Sequence, residues 1–384
     1  MSREELLDLQ LERMKWCVQY AYDNVPFYQK SFKDAGVEPG DLKTLEDITK
    51  FPFVLKQDMR DNYPDGLFAV PRSKVVRLHA SSGTTGQATV VGCTEKDVYK
   101  RQEQLMGVEV PDRAQALRVM WHELSRIHSH VLWLGLAADA FGFESLFMHC
   151  WRLRERVLDI FEKTTGGRVI LSVVKVGGVV RDVDDAMFAY IKQVLEGLKD
   201  EYRQIMNTLL TDTSVKNRLV GVGYVSHDDA VAESMVGPFG RASGVNYDVR
   251  MLGNGWYGKL SEFQPILSND GDCYARVQVR CLEVLQSIDI IEEVISRMPS
   301  GDIEVKVKGN PADGAEACNV LEQPRGECYY YARGNGTKFL ERMRMRTPTS
   351  QNIAGMTIAL KGCDLADVNN IILTIDPCIS CTER

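Results

Sequence analysis

Residues 272–298 read DCYARVQVRCLEVLQSIDIIEEVISRM, and their spacing predicts one long helix. Val279, Leu282, Leu285, Ile288, Ile291 and Ile295 recur every three or four positions, enough for one buried stripe. Upstream, 111–136, 145–164 and 183–210 carry the same helical periodicity. Between them, Gly166-Gly167 and Gly177-Gly178 bracket an expected strand over 168–176. Downstream, 303–308 and 327–333 read as strands, and a last helix is expected from about Asp364. This part of the chain is therefore expected to be mainly α with small β portions.

The amino-terminal part has a different style. Leu6, Leu7, Leu9, Leu11, Met14, Cys17 and Val18 mark an amphipathic helix over 4–22, which Asn24-Val25-Pro26 ends. Helices are also expected over 28–35, stopped by Gly36, and over 41–50. Alternation predicts a strand at 75–80 and a β-branched strand at 89–92, separated by Ser81-Ser82-Gly83-Thr84-Thr85-Gly86. The expectation is an α/β fragment ahead of the helical part. There is no internal repeat and no low-complexity tract.

Composition narrows the function. The chain has 384 residues, 44% hydrophobic and 26% charged, enough for a real core and more than one domain. A net charge of -7 argues against nucleic acid as a partner, which needs a basic face. The longest apolar run, 130–143, is broken by Asp139 and is short of the roughly 20 residues a spanning helix needs. The opening MSREELLDLQLERMKW has no apolar signal region. Ten cysteines without a signal point to a reducing, cytoplasmic compartment, where paired thiols more often mean metal than disulfide.

The Ser/Thr/Gly stretch at 81–86 suits two readings: an ordinary hairpin loop, or a loop whose backbone N–H groups and hydroxyls hold phosphate. NVPFYQK, FPFVLKQDMRDNYPDGLFAV and RLHASSGTTGQATVVG resemble the amino-terminal part of phenylacetate–coenzyme A ligases, members of the adenylate-forming enzymes. The resemblance implies that Ser81, Ser82, Gly83, Thr84, Thr85 and Gly86 form an ATP phosphate loop, with magnesium as companion. Gln87 and Ala88 depart from the lysine and proline usual there. The resemblance covers residues 1–96 only. Without an acyl pocket nothing orients a carboxylate for attack, so this loop is expected to be vestigial.

The chain closes on Asp376-Pro377-Cys378-Ile379-Ser380-Cys381-Thr382-Glu383-Arg384. Two thiolates three positions apart can chelate one soft metal from the same turn, or form a zinc knuckle, or simply be buried. Asp-Pro-Cys-x-x-Cys-x-x-Arg resembles the nickel-binding carboxy-terminal motif of [NiFe] hydrogenase large subunits. VPDRAQALRVMWHELSRIHSHVLWLG, GPFGRASGVNYDVR, GDCYARVQVRCLEVLQSI and QPRGECYYYARGNG extend the likeness to the energy-converting, membrane-associated branch. That branch shares ancestry with the quinone-site 49 kDa subunit of complex I. The resemblance implies reversible dihydrogen oxidation at a nickel–iron centre, with Cys378 a terminal nickel ligand and Cys381 bridging the two metals and relaying protons. Arg325, in Pro324-Arg325-Gly326, is implied to lean over the metals; from the residues alone it could equally pair with Glu327 or another carboxylate. Implied partners are an iron–sulfur small subunit and membrane subunits, which would hold the chain on the inner face of the cell membrane. A phenylacetate–coenzyme A ligase, and a structural quinone-site subunit akin to NADH dehydrogenase, are the alternatives.

Other residues carry less. His122, His128 and His130 lie on one expected helix and read as packing or interface residues. Arg241-Ala242-Ser243-Gly244 looks like a structural segment of the hydrogenase family. Cys150, Cys273, Cys281, Cys318, Cys328 and Cys363 have no ligand spacing.

The nickel–iron site of that family takes a second CxxC, and this chain has none; Cys17 and Cys93 stand alone. Half a ligand set binds weakly, so the polypeptide is expected to be inactive as written. The seam offers a reason. Asp97-Val98-Tyr99-Lys100-Arg101-Gln102 is what GATGTGTATAAGAGACAG encodes, the end of a transposase adapter used in preparing sequencing libraries. The organisation expected is thus a ligase-like fragment at 1–96, an adapter-derived junction at 97–102, and a hydrogenase-like domain at 103–384. A chance helical hexapeptide in a natural fusion is the alternative.

Overall fold

The computed structural model describes residues 3–54, 58, 69, 103, 105–169, 171–261, 263–337 and 340–382. The expected strands at 75–80 and 89–92, the loop Ser81–Gly86 and the junction 97–102 lie outside them. The chain divides into two compact units, 1–88 and 89–384.

In the first unit, α1 (Arg3–Asn24) stops where Val25 precedes Pro26, and α2 (Pro26–Ala35) starts with proline in its first turn. Gly36 at φ 67° ends α2, its N–H donating to Lys33 and Phe32. The helix expected over 41–50 is instead two 3-10 turns, Pro39–Asp41 and Leu45–Lys50. The Asp47 carboxylate explains the break: it accepts from the N–H groups of Lys43 (2.9 Å) and Thr44 (2.7 Å), restarting the chain at Thr44. The core is small, built on Phe32, Leu42 and Phe51, while Trp16 and Phe53 face solvent.

In the second unit, α3 (Asp112–Ala140) and α4 (Glu144–Thr165) form a helical hairpin turning at Gly142. A two-residue pairing follows, β1 (Val174–Lys175) with β2 (Gly178–Val179), then α5 (Asp185–Thr211), α6 (Thr213–Leu219), α7 (His227–Ala232) and α8 (Gly237–Arg241). The helix read from 272–298 is α9 (Cys273–Ser296), capped by Asp272, whose carboxylate accepts from Ala275 N–H at 2.8 Å. An antiparallel meander of β3 (Glu316–Gln323), β4 (Gly326–Gly334) and β5 (Leu340–Arg346) leads into α10 (Pro348–Leu360), α11 (Val368–Ile375) and α12 (Ile379–Thr382). One apolar core runs through α3, α4, α5 and α9, including Trp121, Leu124, Leu153, Ile191, Val284 and Ile291. No helix among the described residues is long and apolar enough to cross a membrane.

Three expectations need correction. The stripe of α9 is not purely apolar: Leu282 is 40% exposed, whereas Arg276, Arg280 and Glu283 are buried. These three share a face by their spacing, and each finds polar partners inside the core. The strand over 168–176 shrinks to Val174–Lys175, because Arg168 turns back to Asp159 (2.8 Å) and Glu162 on α4 and holds the chain there. Residues 303–308 give only an isolated bridge, Gly178 with Glu304.

Candidate functional site

The site is built on the end of α11. The last carbonyls of a helix lack partners within it, and here buried side chains from distant elements supply them. Trp133 Nε1 donates to the Leu373 carbonyl at 2.7 Å, and Arg280 donates to the carbonyls of Thr374 and Ile375. Arg325 Nε donates to the Asp376 carbonyl at 3.0 Å, and its Nη2 to Asp376 Oδ1 at 3.0 Å. Cations at a helix carboxy-terminus also suit the helix dipole. Asp376 itself has φ 61°, a left-handed turn that stops α11 and redirects the chain toward Cys378.

The thiol turn is then anchored to the start of α10. Cys378 N–H donates to Thr349 Oγ1 at 3.2 Å, and Thr347 Oγ1 donates to the Cys381 carbonyl at 2.7 Å. Within the turn, the N–H groups of Cys381 and Thr382 both donate to the Cys378 carbonyl at 3.0 Å. This brings Cys378 and Cys381 side by side, hydrogen-bonded through their sulfurs. That shared hydrogen bond, and burial after it, raise the pKa of the Cys381 thiol. Burial opposes the charge of Arg325, but Asp376 first and the two cysteines next outweigh it and raise its pKa. Burial also raises the pKa of Asp376 despite Arg325 and Arg280.

Arg325 sits at the tip of the two-residue turn between β3 and β4, Pro324-Arg325. The turn presses on α8, so closely that a Cβ on Gly237 (φ 71°) would lie 2.3 Å from the Arg325 carbonyl oxygen. Only glycine fits there. Arg325, Cys378 and Cys381 are thus brought together, and the carboxylate that holds Arg325 is Asp376. Glu327 is engaged elsewhere, by Arg346 and Tyr247. Ser81, Ser82, Gly83, Thr84, Thr85 and Gly86 lie outside the described residues.

Beside this site the core holds a cluster of charge that sequence reasoning missed. Arg241 reaches Glu283 (2.8 Å), Glu322 (2.7 Å) and Asp248 (3.1 Å). Arg250 reaches Asp248 (2.8 Å) and Glu123 (3.3 Å), and Arg126 reaches Glu123 (3.3 Å). His130 Nε2 lies 2.9 Å from Glu283, and His122 Nδ1 lies 2.7 Å from the Tyr257 hydroxyl, which donates to Glu123. Burial pushes His130 down to about 4, against the pull of Glu283, so its ring is neutral at pH 7. The available signal was Glu123, Arg126 and His130 recurring on one helical face among buried apolar residues, as Arg276, Arg280 and Glu283 do on another.

The donor set limits what metal the site can take. Two thiols offer one bidentate grip, and no group of three or more His, Cys, Asp or Glu side chains suited to a metal occurs among the described residues. Of the other cysteines, Cys150, Cys273, Cys281 and Cys328 are buried, and Cys328 lies close enough to act on the Cys381 thiol. The described residues do not bring together the four thiolates of a dinuclear centre; Cys378 and Cys381 supply two.

A family model for the 49 kDa subunit of respiratory-chain NADH dehydrogenase matches residues 140–312 and 305–384. The chain belongs to this family. Within the 49 kDa-subunit family, the membrane-bound hydrogenase subunit alpha of Pyrococcus furiosus is 36% identical over 303 residues, covering 73% of this chain and 70% of that protein. The carbon monoxide-induced hydrogenase of Rhodospirillum rubrum is 37% identical over 284 residues, covering 73% and 78%. An NADH-quinone oxidoreductase subunit of Protochlamydia amoebophila is 34% identical over 341 residues, covering 81% and 82%. The family is one of oxidoreductase subunits and contains both hydrogenase and quinone-reductase members. These relatives lend no support to a ligase origin for residues 1–96.

Proposed function

We propose that residues 103–384 are the large subunit of a membrane-associated [NiFe] hydrogenase that keeps one of its two thiolate pairs. The observation that carries the reading is the convergence of Cys378, Cys381 and an Arg325 clamped by Asp376. A complete thiolate set with nickel and iron supplies reversible cleavage of dihydrogen. With two thiols only, this chain holds neither metal firmly and does not turn over dihydrogen. What its own residues do is narrower: Thr347 and Thr349 fix the thiol turn, and Arg325 holds positive charge beside the sulfurs. The partners on this reading are an iron–sulfur small subunit and membrane subunits, and the location is the inner face of the cell membrane.

The test is anaerobic expression in a host able to mature such enzymes, followed by metal analysis and viologen-linked hydrogen uptake. Substoichiometric nickel and no uptake are expected for the 384-residue chain. Uptake with one nickel and one iron per chain would refute the half-site reading. The complex I-type reading is favoured by the long match to the NADH-quinone oxidoreductase relative. It predicts that Cys378→Ser and Cys381→Ser leave nickel retention unchanged, whereas the hydrogenase reading predicts its loss.

The same reading takes 1–96 as a ligase-family fragment with a vestigial phosphate loop at 81–86, joined through adapter codons at 97–102. Amplification across codons 90–110 from source DNA decides it. A contiguous genomic product containing those codons sinks the chimera; upstream genomic sequence encoding a CxxC ahead of Glu103 supports it.

A further inference from the structure

The buried arginines of the second unit are paired, with one exception on α4. Arg126, Arg241 and Arg250 meet carboxylates, and Arg276 and Arg280 meet main-chain carbonyls. Arg154 is 8% exposed, yet it has no ion pair and no hydrogen bond among the described residues. The carboxylates nearby are committed elsewhere: Glu201 takes Arg152 and Arg156, to either side of it, and Glu155 takes Arg168. A guanidinium withdrawn from water without an opposite charge is costly unless something external supplies that charge.

Its surroundings supply further donors. The guanidinium carbon lies 4.9 Å from the centre of the Trp151 ring, a cation–π contact that holds it in place. Trp151 Nε1 is itself buried with no hydrogen-bond partner, and so is His128 Nε2 on α3. Burial, and after it the charge of Arg154, push His128 down to about 4. At pH 7 its ring is neutral, and the cluster carries a single positive charge. Apolar surface adjoins it. Gly135 of α3 packs on the ring pair Phe147 and Trp151, and His128, Leu132 and Leu136 follow at one-turn intervals along the same helix. Leu136 and Met148 are exposed.

A guanidinium fork matches the two oxygens of a carboxylate, and an indole N–H adds a further donor. One positive charge balances a monoanion but leaves a phosphate dianion in excess. We propose that Arg154, with Trp151 and His128, forms a binding site for a carboxylate carried on an apolar body, the body lying along Leu132 and Leu136. A free acid and the Asp or Glu side chain of a partner polypeptide both present this chemistry. The site belongs to the α3–α4 hairpin and is independent of the nickel reading.

The experiment titrates the full 384-residue chain, isotopically labelled at its indole nitrogens, with benzoate, hexanoate and an N-acetylated leucyl-glutamate amide. The Trp151 indole resonance, assigned through Trp151→Phe, is expected to shift saturably with millimolar carboxylate and not with benzamide, the neutral isostere of benzoate. Arg154→Met removes the charge and keeps the stem, and binding weakens at least about tenfold. Its urea midpoint stays at or above that of the parent, because an unpaired buried charge has gone. Arg154→Lys keeps the charge and loses the fork, so it binds more weakly than the parent and carries the test should the methionine variant not fold. Response to the free acids assigns the site to a small molecule; response to the dipeptide alone assigns it to a partner's side chain. No saturable shift with any of the three carboxylates, an equal shift with benzamide, or binding by both Arg154 variants as tight as by the parent overturns the proposal.

Discussion

Three guanidiniums, Arg126, Arg241 and Arg250, face four carboxylates, Glu123, Asp248, Glu283 and Glu322, all inside the core. The surplus carboxylate is Glu322, which burial and the neighbouring Asp248 push up to about 7 despite Arg241 and Arg126. Taking its proton leaves three charges of each sign. Because its folded pKa lies above the unfolded value, Glu322 contributes stability that is full below about pH 4.5 and declines as pH rises toward 7. Glu322→Gln keeps an acceptor for Arg241 without the charge, so urea midpoints of the variant should fall less than those of the parent between pH 5 and 8. Parallel pH curves for the two proteins would contradict this. Arg241→Leu should cost about 3–5 kcal/mol, since it leaves Glu283, Asp248 and Glu322 buried with less opposing charge. A loss under about 1 kcal/mol in the same denaturation assay would show the cluster rearranging to compensate.

The turn between β3 and β4 is placed by contact between backbones, with no room for a side chain at Gly237. Gly237→Ala should therefore destabilise the second unit by about 1–3 kcal/mol and slow alkylation of Cys381, as Arg325 shifts and its charge no longer favours the thiolate. Unchanged stability with unchanged thiol reactivity would reject that coupling. The long helices could be read from the sequence because their apolar periodicity is local: α1, α3, α4, α5 and α9 fall within a few residues of expectation. Elements that depend on distant partners could not. β1 exists through β2 and the nearby Glu304, and the expected strand at 168–176 yields to an ion cluster on α4. Helix α10 has no counterpart in the sequence reading, although Thr347 caps it and Pro348 opens it, two local start signals. That Cys378 and Cys381 share one turn is legible in their spacing, whereas Arg325 is singled out only by the resemblance. The contacts that Asp376, Arg280 and Trp133 make are not legible, because they arise only when α3, α9 and α11 meet.

The two units differ in how much apolar surface they enclose. The first rests on three buried core residues, Phe32, Leu42 and Phe51, whereas the second encloses a core spanning four long helices. Small cores leave little stability after chain entropy is paid. Limited proteolysis should accordingly degrade α1 and α2 first and leave a resistant product containing α3 through α11; equal resistance of both units would count against it. The clamped end of α11 also bears on how this chain tolerates shortening. Trp133, Arg276 and Arg280 reach from the core of the second unit to Leu373, Thr374 and Ile375. A truncation that removes α11 leaves the Trp133 indole and the Arg280 guanidinium in a dry interior without these acceptors, while Arg276 keeps the carbonyls of Gly223 and Gly271. The helix ahead of the cysteines is therefore a keystone: a truncation ahead of Val368 loses the protein, whereas exchanging Cys378 and Cys381 for serine does not.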